Sequence, residues 1–139
     1  GSAMCWGSNS NGQLGDNIST NRYTPVMVAS ISNVKSISAG SSHSCVALDN
    51  GSAMCWGARG NGRLGDGSTS GSSSVPVMVS GLTNVKSISS GQKHTCTALG
   101  NGSAMCWGLN NTGQLGNGTP VTPNATPGSV INLTNIRLP

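Results

Sequence analysis

The amino-acid sequence predicts an all-β protein built from β-propeller blades of four antiparallel strands. The phrase GSAMCWG begins at Gly1, Gly51 and Gly102, so the chain repeats itself every 50–51 residues. Apolar and polar residues alternate within each repeat, which is the period of a β-strand, and no window carries the period of an amphipathic helix. Four short strands in a repeat of roughly 50 residues are typical of a propeller blade.

The strands of the first repeat are predicted from β-branched or alternating runs that Gly, Asn, Pro and Ser separate. We expect them near residues 3–6, 26–30, 34–38 and 44–48, with counterparts downstream. The repeat units are residues 1–50, 51–101 and 102–139 of a single domain, and the last unit is truncated. A closed propeller needs roughly 4–8 blades. About 2.8 repeats therefore predict an incomplete propeller or a head-to-tail assembly.

The composition limits both the core and the partners. Only 7% of the residues are charged, and 21 are Gly, so burial has to come from many small contacts between stacked repeats. The net charge of +4 comes from scattered basic residues without interleaved aromatic ones, and we expect no nucleic-acid binding. No apolar stretch approaches the ~20 residues that span a bilayer, and we expect no membrane insertion.

The cysteines recur in pairs ten residues apart, around a short turn. Taking Cys45 and Cys55 as directly opposed leaves a three-residue loop, and Cys96 and Cys106 repeat this arrangement. Directly opposed residues of antiparallel strands lie within the distance that a disulfide tolerates. We therefore predict the disulfides Cys45–Cys55 and Cys96–Cys106. Reduced, buried cysteines and a zinc site are the alternatives, and the spacing does not favour zinc.

Cys5 has no counterpart ten residues upstream. We expect it to be unpaired or to form an intermolecular bond. The His-x-Cys strand that should follow Leu138 is likewise missing. The chain is thus expected to start and stop inside a blade, either as a piece of a longer chain or as a unit that joins other copies.

The tryptophans and histidines are predicted to be structural. Trp6, Trp56 and Trp107 each precede a glycine and are expected to fill the space between adjacent blades, with stacking on a sugar as the alternative. His43 and His94 lie two residues before a cysteine and on the same side of their strands. No third group orients either imidazole for catalysis, so we expect each ring to bond to the backbone of a neighbouring loop.

The chain therefore offers no catalytic, cofactor-binding or metal-binding residues. Residues 60–65 spell G-x-G-x-x-G, but no helix can follow them, so a nucleotide site is not predicted. Asp16 and Asp66 are expected to bond turn amides. The segments that differ between repeats, residues 16–24, 66–75 and 117–126, are expected to project from one face. N-x-S/T acceptor sites, open to glycosylation if the source glycosylates secreted proteins, begin at Asn17, Asn50, Asn101, Asn110, Asn117, Asn124 and Asn132.

The stretch HSCVALDNGSAMCWGARGNGRLGDGS resembles a repeat of the regulator-of-chromosome-condensation family in its bacterial, cysteine-bearing form. The resemblance covers nearly the whole chain. It implies a propeller of roughly seven blades, with one blade completed by strands from both chain ends. Members of that family include an exchange factor for a nuclear GTPase, ubiquitin-ligase domains and a related inhibitor of β-lactamases. None of their functional residues matches a loop motif of this chain.

These observations favour a non-enzymatic, extracellular or cell-surface repeat scaffold. We expect it to bind proteins, including other copies of itself, through its variable polar loops. A regulatory protein that docks one partner, like an exchange factor or an enzyme inhibitor, and a carbohydrate-binding module are the alternatives. Fold resemblance alone does not decide between them.

Overall fold

A computed structural model of the chain describes residues 1–133. It contains ten strands and a single 3-10 turn at Gly60–Gly62 within those residues. The strands are β1 Met4–Gly7, β2 Arg22–Met27, β3 Val34–Ala39, β4 His43–Leu48, β5 Ala53–Ala58, β6 Ser72–Met78, β7 Val85–Ser90, β8 His94–Leu99, β9 Ala104–Gly108 and β10 Asn124–Ser129. No helix of the described part is long and apolar enough to cross a membrane.

The strands form three antiparallel sheets. Strands β3–β4–β5–β6 make one four-stranded sheet, here blade 1, and β7–β8–β9–β10 make another, here blade 2. Strands β1 and β2 pair with each other alone and form a half-blade. The predicted all-β fold with blades of four antiparallel strands is confirmed. Each blade takes two strands from one sequence repeat and two from the next, so residues 1–50, 51–101 and 102–139 mark the sequence period rather than the blades.

The outermost strand of each blade begins earlier than the sequence predicts. Strand β2 starts at Arg22 instead of residue 26, because Arg22 pairs with Gly7 of β1. The polar run before Pro25 has no alternating pattern of its own, and the neighbouring strand extends it. Pro25 is tolerated because β2 is an edge strand, where a missing N–H costs no ladder bond.

The hairpin between the middle strands has the predicted register. Cys45 lies opposite Cys55, with Cα atoms 4.0 Å apart and sulfur atoms 2.12 Å apart. Cys96 lies opposite Cys106, with Cα atoms 4.1 Å apart and sulfur atoms 2.12 Å apart. Both pairs are at disulfide-bonding distance. The turn between Cys45 and Cys55 closes at Gly51, whose φ of 86° is the left-handed conformation that favours glycine.

The core lies in two seams between neighbouring sheets. The first seam joins the half-blade to blade 1, and Trp56 is fully buried there. The second seam joins blade 1 to blade 2 and buries Trp107. Each indole packs on a glycine of the preceding repeat. A Cβ on Gly15 or Gly65 would approach the indole Nε1 to within 2.7 Å, so only glycine fits there.

Trp6 does not lie in a seam, and the prediction for it is wrong. Its side chain is 63% exposed and lines an open groove beside Ile37 of β3 and Ser44 of β4. The indoles of Trp56 and Trp107 are each covered by an N-G-x-L-G loop of the preceding repeat, residues 11–15 and 61–65. The described residues contain no such loop before Trp6. Cys5, beside it, is half-buried with a free thiol.

Oxidation of the two cysteine pairs can be measured directly. The intact protein under non-reducing conditions should be lighter than its reduced form by two hydrogens for each of two disulfides, with a single thiol at Cys5 that reacts with maleimide. The double variant C45A/C55A should lose about 2–3 kcal/mol of unfolding free energy in urea, because a short loop is released in the unfolded chain. Three reactive thiols or more in the native protein would contradict the pairing.

Candidate functional site

A buried polar network joins blade 1 to blade 2. The His43 Nε2 atom lies 2.8 Å from the Thr95 hydroxyl oxygen. The Thr95 hydroxyl donates to the Arg63 carbonyl at 2.9 Å, and the Trp107 indole N–H donates to the same carbonyl at 2.9 Å. The Thr95 hydroxyl donates its only hydrogen to the Arg63 carbonyl, so its oxygen must accept the hydrogen bond from His43. The imidazole proton is therefore on Nε2.

The partner of His43 differs from the prediction, which placed its ring on loop backbone. The ring reaches a side chain on β8 because stacking brings strand β4 within hydrogen-bonding distance of the next blade, a contact that no sequence spacing reveals. Its Nδ1 is buried without a partner among the described residues. Burial, followed by the charges of Arg63 and His94, lowers the pKa of His43 from 6.5 to about 4. The ring is therefore neutral near pH 7.

The first seam repeats part of this network. The Ser44 hydroxyl takes the place of Thr95 and donates to the Gln13 carbonyl at 2.8 Å. His94 takes the place of His43 in blade 2, where it is half-buried. Within residues 1–133 its ring has no hydrogen bond, because no further blade stands beside it there. The predicted loop-backbone bond is absent at this position too.

Equivalent residues hold the three variable loops from inside. Asn9 is fully buried, and its Nδ2 donates to the Ile18 and Thr20 carbonyls at 3.1 and 3.0 Å. Its Oδ1 accepts from the Leu14 N–H at 3.0 Å. Asn110 is also fully buried and binds its own loop in the same way, with Nδ2 bonds of 2.7 and 3.2 Å to the Thr119 and Val121 carbonyls. We call the side chain at this position of the repeat, here Asn9 and Asn110, the loop anchor.

The middle loop uses Arg59 as its anchor. The guanidinium contacts the Asp66 carboxylate at 2.8 Å and reaches the carbonyls of Ser70 and Ser72 at 3.5 Å. As predicted, Asp66 also accepts from a turn amide, that of Ser68 at 3.3 Å. An arginine thus replaces the buried amide. Like the amide, it contacts the side chain seven residues later, here Asp66, and two backbone carbonyls near the end of the loop.

Asp16 has the same place in the first loop. It accepts from the Ile18 N–H at 3.4 Å, from Asn9 at 3.1 Å and from Arg22 at 3.2 Å. Burial opposes ionisation of this carboxyl, but these hydrogen bonds and the Arg22 charge together lower its pKa.

The anchors were missed by the sequence analysis, and Asn110 was assigned wrongly. As a glycosylation acceptor it would need an accessible Nδ2, yet that atom is buried and already donates to three oxygens. The available signal was its position three residues after each tryptophan, where Asn9 and Arg59 stand. The acceptor sites that remain exposed are Asn17, Asn50, Asn101 and Asn132. Asn117 and Asn124 are half-buried and take part in hydrogen bonds of the third loop.

The variable loops lie in a row along one end of the blades. Each precedes the outermost strand of its sheet, β2, β6 or β10, as residues 16–21, 66–71 and 117–123, which is shorter than predicted because these strands start early. Backbone bonds join the first two loops to the outermost strand of the next sheet. The Asn17 N–H donates to the Ser74 carbonyl of the next sheet, and the Gly67 N–H donates to the Ala125 carbonyl, both at 2.9 Å.

Within residues 1–133 no group of three or more His, Cys, Asp or Glu side chains could hold a metal ion.

Sheets stacked face to face through tryptophan seams define a repeat protein of the β-propeller class. The Regulator of chromosome condensation (RCC1) repeat model matches residues 1–47 and 50–98, and a second model of this repeat matches residues 34–63 and 85–114. The chain belongs to the RCC1 repeat family.

Solved structures of low sequence identity share the fold. Yeast RCC1 (Prp20), solved bound to Kap60, is similar with a TM-score of 0.83 and 23% identity over 94% of this chain and 33% of that one. Prp20p from Saccharomyces cerevisiae has a TM-score of 0.82 and 22% identity, over 94% of this chain and 34% of that one. Human WBSCR16 has a TM-score of 0.81 and 21% identity, over 93% of this chain and 33% of that one. The chain spans about a third of the length of these proteins.

The buried His43 should make stability depend on pH. An unfolded histidine takes up a proton near pH 6.5, while folded His43 does so only near about 4. Stability is therefore complete above pH 6.5 and falls as the pH drops towards 4, by roughly 3 kcal/mol at most. Urea unfolding of the wild type and of His43→Gln across this range measures it. An equal slope in both proteins would exclude His43 as the cause.

Removing a loop anchor should loosen one loop and leave the blades intact. Asn110→Ala leaves the Leu115 amide and two loop carbonyls without their partner, at a cost of about 1–3 kcal/mol. Hydrogen exchange should rise in residues 115–123 and stay unchanged in 53–58. The neighbouring, exposed Asn111→Ala is the matched control and should protect the loop as the wild type does. Exchange that rises equally in both variants would contradict the anchor.

Proposed function

We propose that this chain is a non-enzymatic scaffold that binds a protein partner through its three variable loops. The observation that carries the proposal is that equivalent anchors, Asn9, Arg59 and Asn110, hold loops of unrelated sequence in one row. The frame of strands, seams and anchors stays constant while residues 16–21, 66–71 and 117–123 differ. Binding residues are commonly found on loops that a rigid scaffold positions.

The chemistry of the row suits a protein surface. The loops present hydroxyl and amide groups, together with the exposed side chains of Ile18 and Val121. Tyr23 follows the first loop and is 94% exposed. Aromatic and apolar side chains surrounded by polar ones are characteristic of protein–protein interfaces. Because Asp16 and Asp66 are each paired with an arginine, recognition by hydrogen bonds and apolar contact is favoured over charge steering.

Binding is favoured over catalysis because the residues that resemble a base and a nucleophile are engaged in the frame. His43 bonds to Thr95, and Cys45 lies against Cys55. Two of the similar proteins bind other proteins. Yeast RCC1 (Prp20) was solved bound to Kap60, and Prp20p has binding properties to Gsp1p and histones. Those partners belong to those proteins, and they support protein binding as the class of function.

An extracellular or cell-surface location is part of the proposal. Two cysteine pairs at bonding distance support an oxidising compartment, where such bonds persist. A second candidate function is assembly with chains of the same repeat type. It is favoured by the near-identity of the repeats, in which the phrase GSAMCWG begins at Gly1, Gly51 and Gly102.

Site-specific photo-crosslinking in the producing cells tests the binding surface. A photoreactive residue at Ser68 in the middle loop should capture a protein partner. The same residue at Asn50, in the turn at the opposite end of the blade, is the matched control and should capture much less. Replacing residues 117–123 with a Gly-Ser segment should reduce the Ser68 adduct while the thermal midpoint changes little. Equal capture from Ser68 and Asn50 would refute binding through the loops.

A further inference from the structure

The turn at residues 60–63 of the middle repeat differs from its counterparts in the other two repeats. In the first repeat Gln13 folds back on this turn, and its Oε1 accepts from the Asn11 N–H at 2.9 Å. Gln114 makes the equivalent bond in the third repeat, also at 2.9 Å. Arg63 stands at this position in the middle repeat, so a cation replaces a hydrogen-bond acceptor.

The exchange leaves backbone donors of the middle turn without acceptors. Within residues 1–133 nothing accepts from the Asn61 N–H, which is the donor that a glutamine satisfies in the other repeats. The Leu64 N–H is in the same position, because Arg59 replaces the anchoring amide that accepts from its counterparts. Unpaired N–H groups of a turn favour a negative group nearby. The surroundings of Arg63 therefore offer donors and no compensating acceptor.

The Arg63 side chain is fixed and largely buried. Only 8% of the residue is exposed. Its Nε donates to the Gly60 carbonyl at 2.9 Å, and its Nη1 donates to the Gln92 carbonyl of the next blade at 3.4 Å. No described residue accepts from Nη2, so one end of the guanidinium keeps its donors. Burial lowers the pKa of Arg63, because the charged form has lost part of its hydration.

No acidic side chain of the sequence is available to neutralise Arg63. There are three acids, and all lie in the described residues. Asp16 and Asp66 are each paired with another arginine, and Asp49 lies in the β4–β5 turn at the opposite end of the blade. Lys93 is exposed in the same turn as the Nη1 acceptor and adds a second positive charge. Because arginine is rarely buried without a charged partner, the arrangement points to a negative group from outside the chain.

We propose that Arg63 binds a carboxylate presented by the protein partner, an aspartate or glutamate side chain that docks between the middle loop and the β7–β8 turn. The carboxylate accepts from Nη2, and Lys93 lies at the rim of the site. Charge-assisted bonds between guanidinium and carboxylate are strong and directional, so the pair adds specificity to the contacts of the loops. This inference rests on the proposed function and names the chemistry of its partner.

The site is tested on the isolated chain by NMR, with N-acetyl-glutamate methylamide as the probe at constant ionic strength. We expect a saturable shift of the Arg63 Nε–H signal. The Nε–H signal of Arg59, which already bonds to Asp66, is the internal control and should stay in place. The uncharged N-acetyl-glutamine methylamide should cause no shift. An unchanged Arg63 signal, equal shifts with both probes, or equal shifts at both arginines would overturn the site.

Inorganic phosphate distinguishes a carboxylate site from a site for free anions. We expect phosphate to bind no more tightly than the glutamate probe, because only one end of the Arg63 guanidinium is available to it. Phosphate that binds about tenfold more tightly than the probe would refute recognition of a carboxylate.

Arg63→Gln tests the same site in the producing cells. Glutamine stands at this position in the other two repeats, so the variant should keep the thermal midpoint of the wild type. We expect the photo-crosslinked adduct from Ser68 to fall at least about tenfold, because the partner's carboxylate loses its cation. Lys86→Gln removes the same charge beside Gly100, at the opposite end of the blade. It is the matched control and should give the wild-type adduct.

Failure of this site is distinguishable from failure of the loop surface. An unchanged Ser68 adduct in Arg63→Gln, or an equal loss in Lys86→Gln, would refute the carboxylate site and leave binding through the loops intact. A lower thermal midpoint with an unchanged adduct would also refute it, since Arg63 would then only tether the two blades. If Ser68 captures no partner in the wild type, binding through the loops fails, and the NMR titration still decides whether Arg63 binds a carboxylate.

Discussion

The structure depends on each sheet covering the face of its neighbour. With few large side chains, burial is concentrated where an indole packs on the backbone of the preceding repeat. Trp56 fits only because Gly15 has no Cβ, and Trp107 fits only because of Gly65. A face without a neighbour stays open, as Trp6 demonstrates. Stability in such a stack is approximately a sum of contributions from the units and from the contacts between adjacent units.

The seams also connect the core to the loops. The Arg63 carbonyl lies in the turn that leads into the middle loop, and it accepts hydrogen bonds from both the Thr95 hydroxyl and the Trp107 indole N–H of the next blade. Packing between blades therefore fixes the base of the first and middle loops, through the Gln13 and Arg63 carbonyls, while the anchor fixes the inner side of each loop. The remaining loop residues are bound by neither constraint. This separation explains how one frame can carry loops as different as DNISTN and NGTPVTP.

Much of the local structure could be predicted because it depends on near neighbours along the chain. Alternation gave the strands, and the turn closed by Gly51 fixed the register that places Cys45 against Cys55. The anchors could not be predicted in this way. Asn110 has the sequence of a glycosylation site, and only the burial of its amide under the loop shows that it binds backbone carbonyls.

The sequence by itself determined the all-β class, the repeat of four strands, the hairpin turns and the pairing of the cysteines, because these follow from period, turn chemistry and short-range distance. Only the tertiary structure decided which strands share a sheet, that Trp6 stays exposed, and that His43 bonds to Thr95. These depend on which surfaces meet across a seam, and residues 52 positions apart in the chain carry no local signal of their contact.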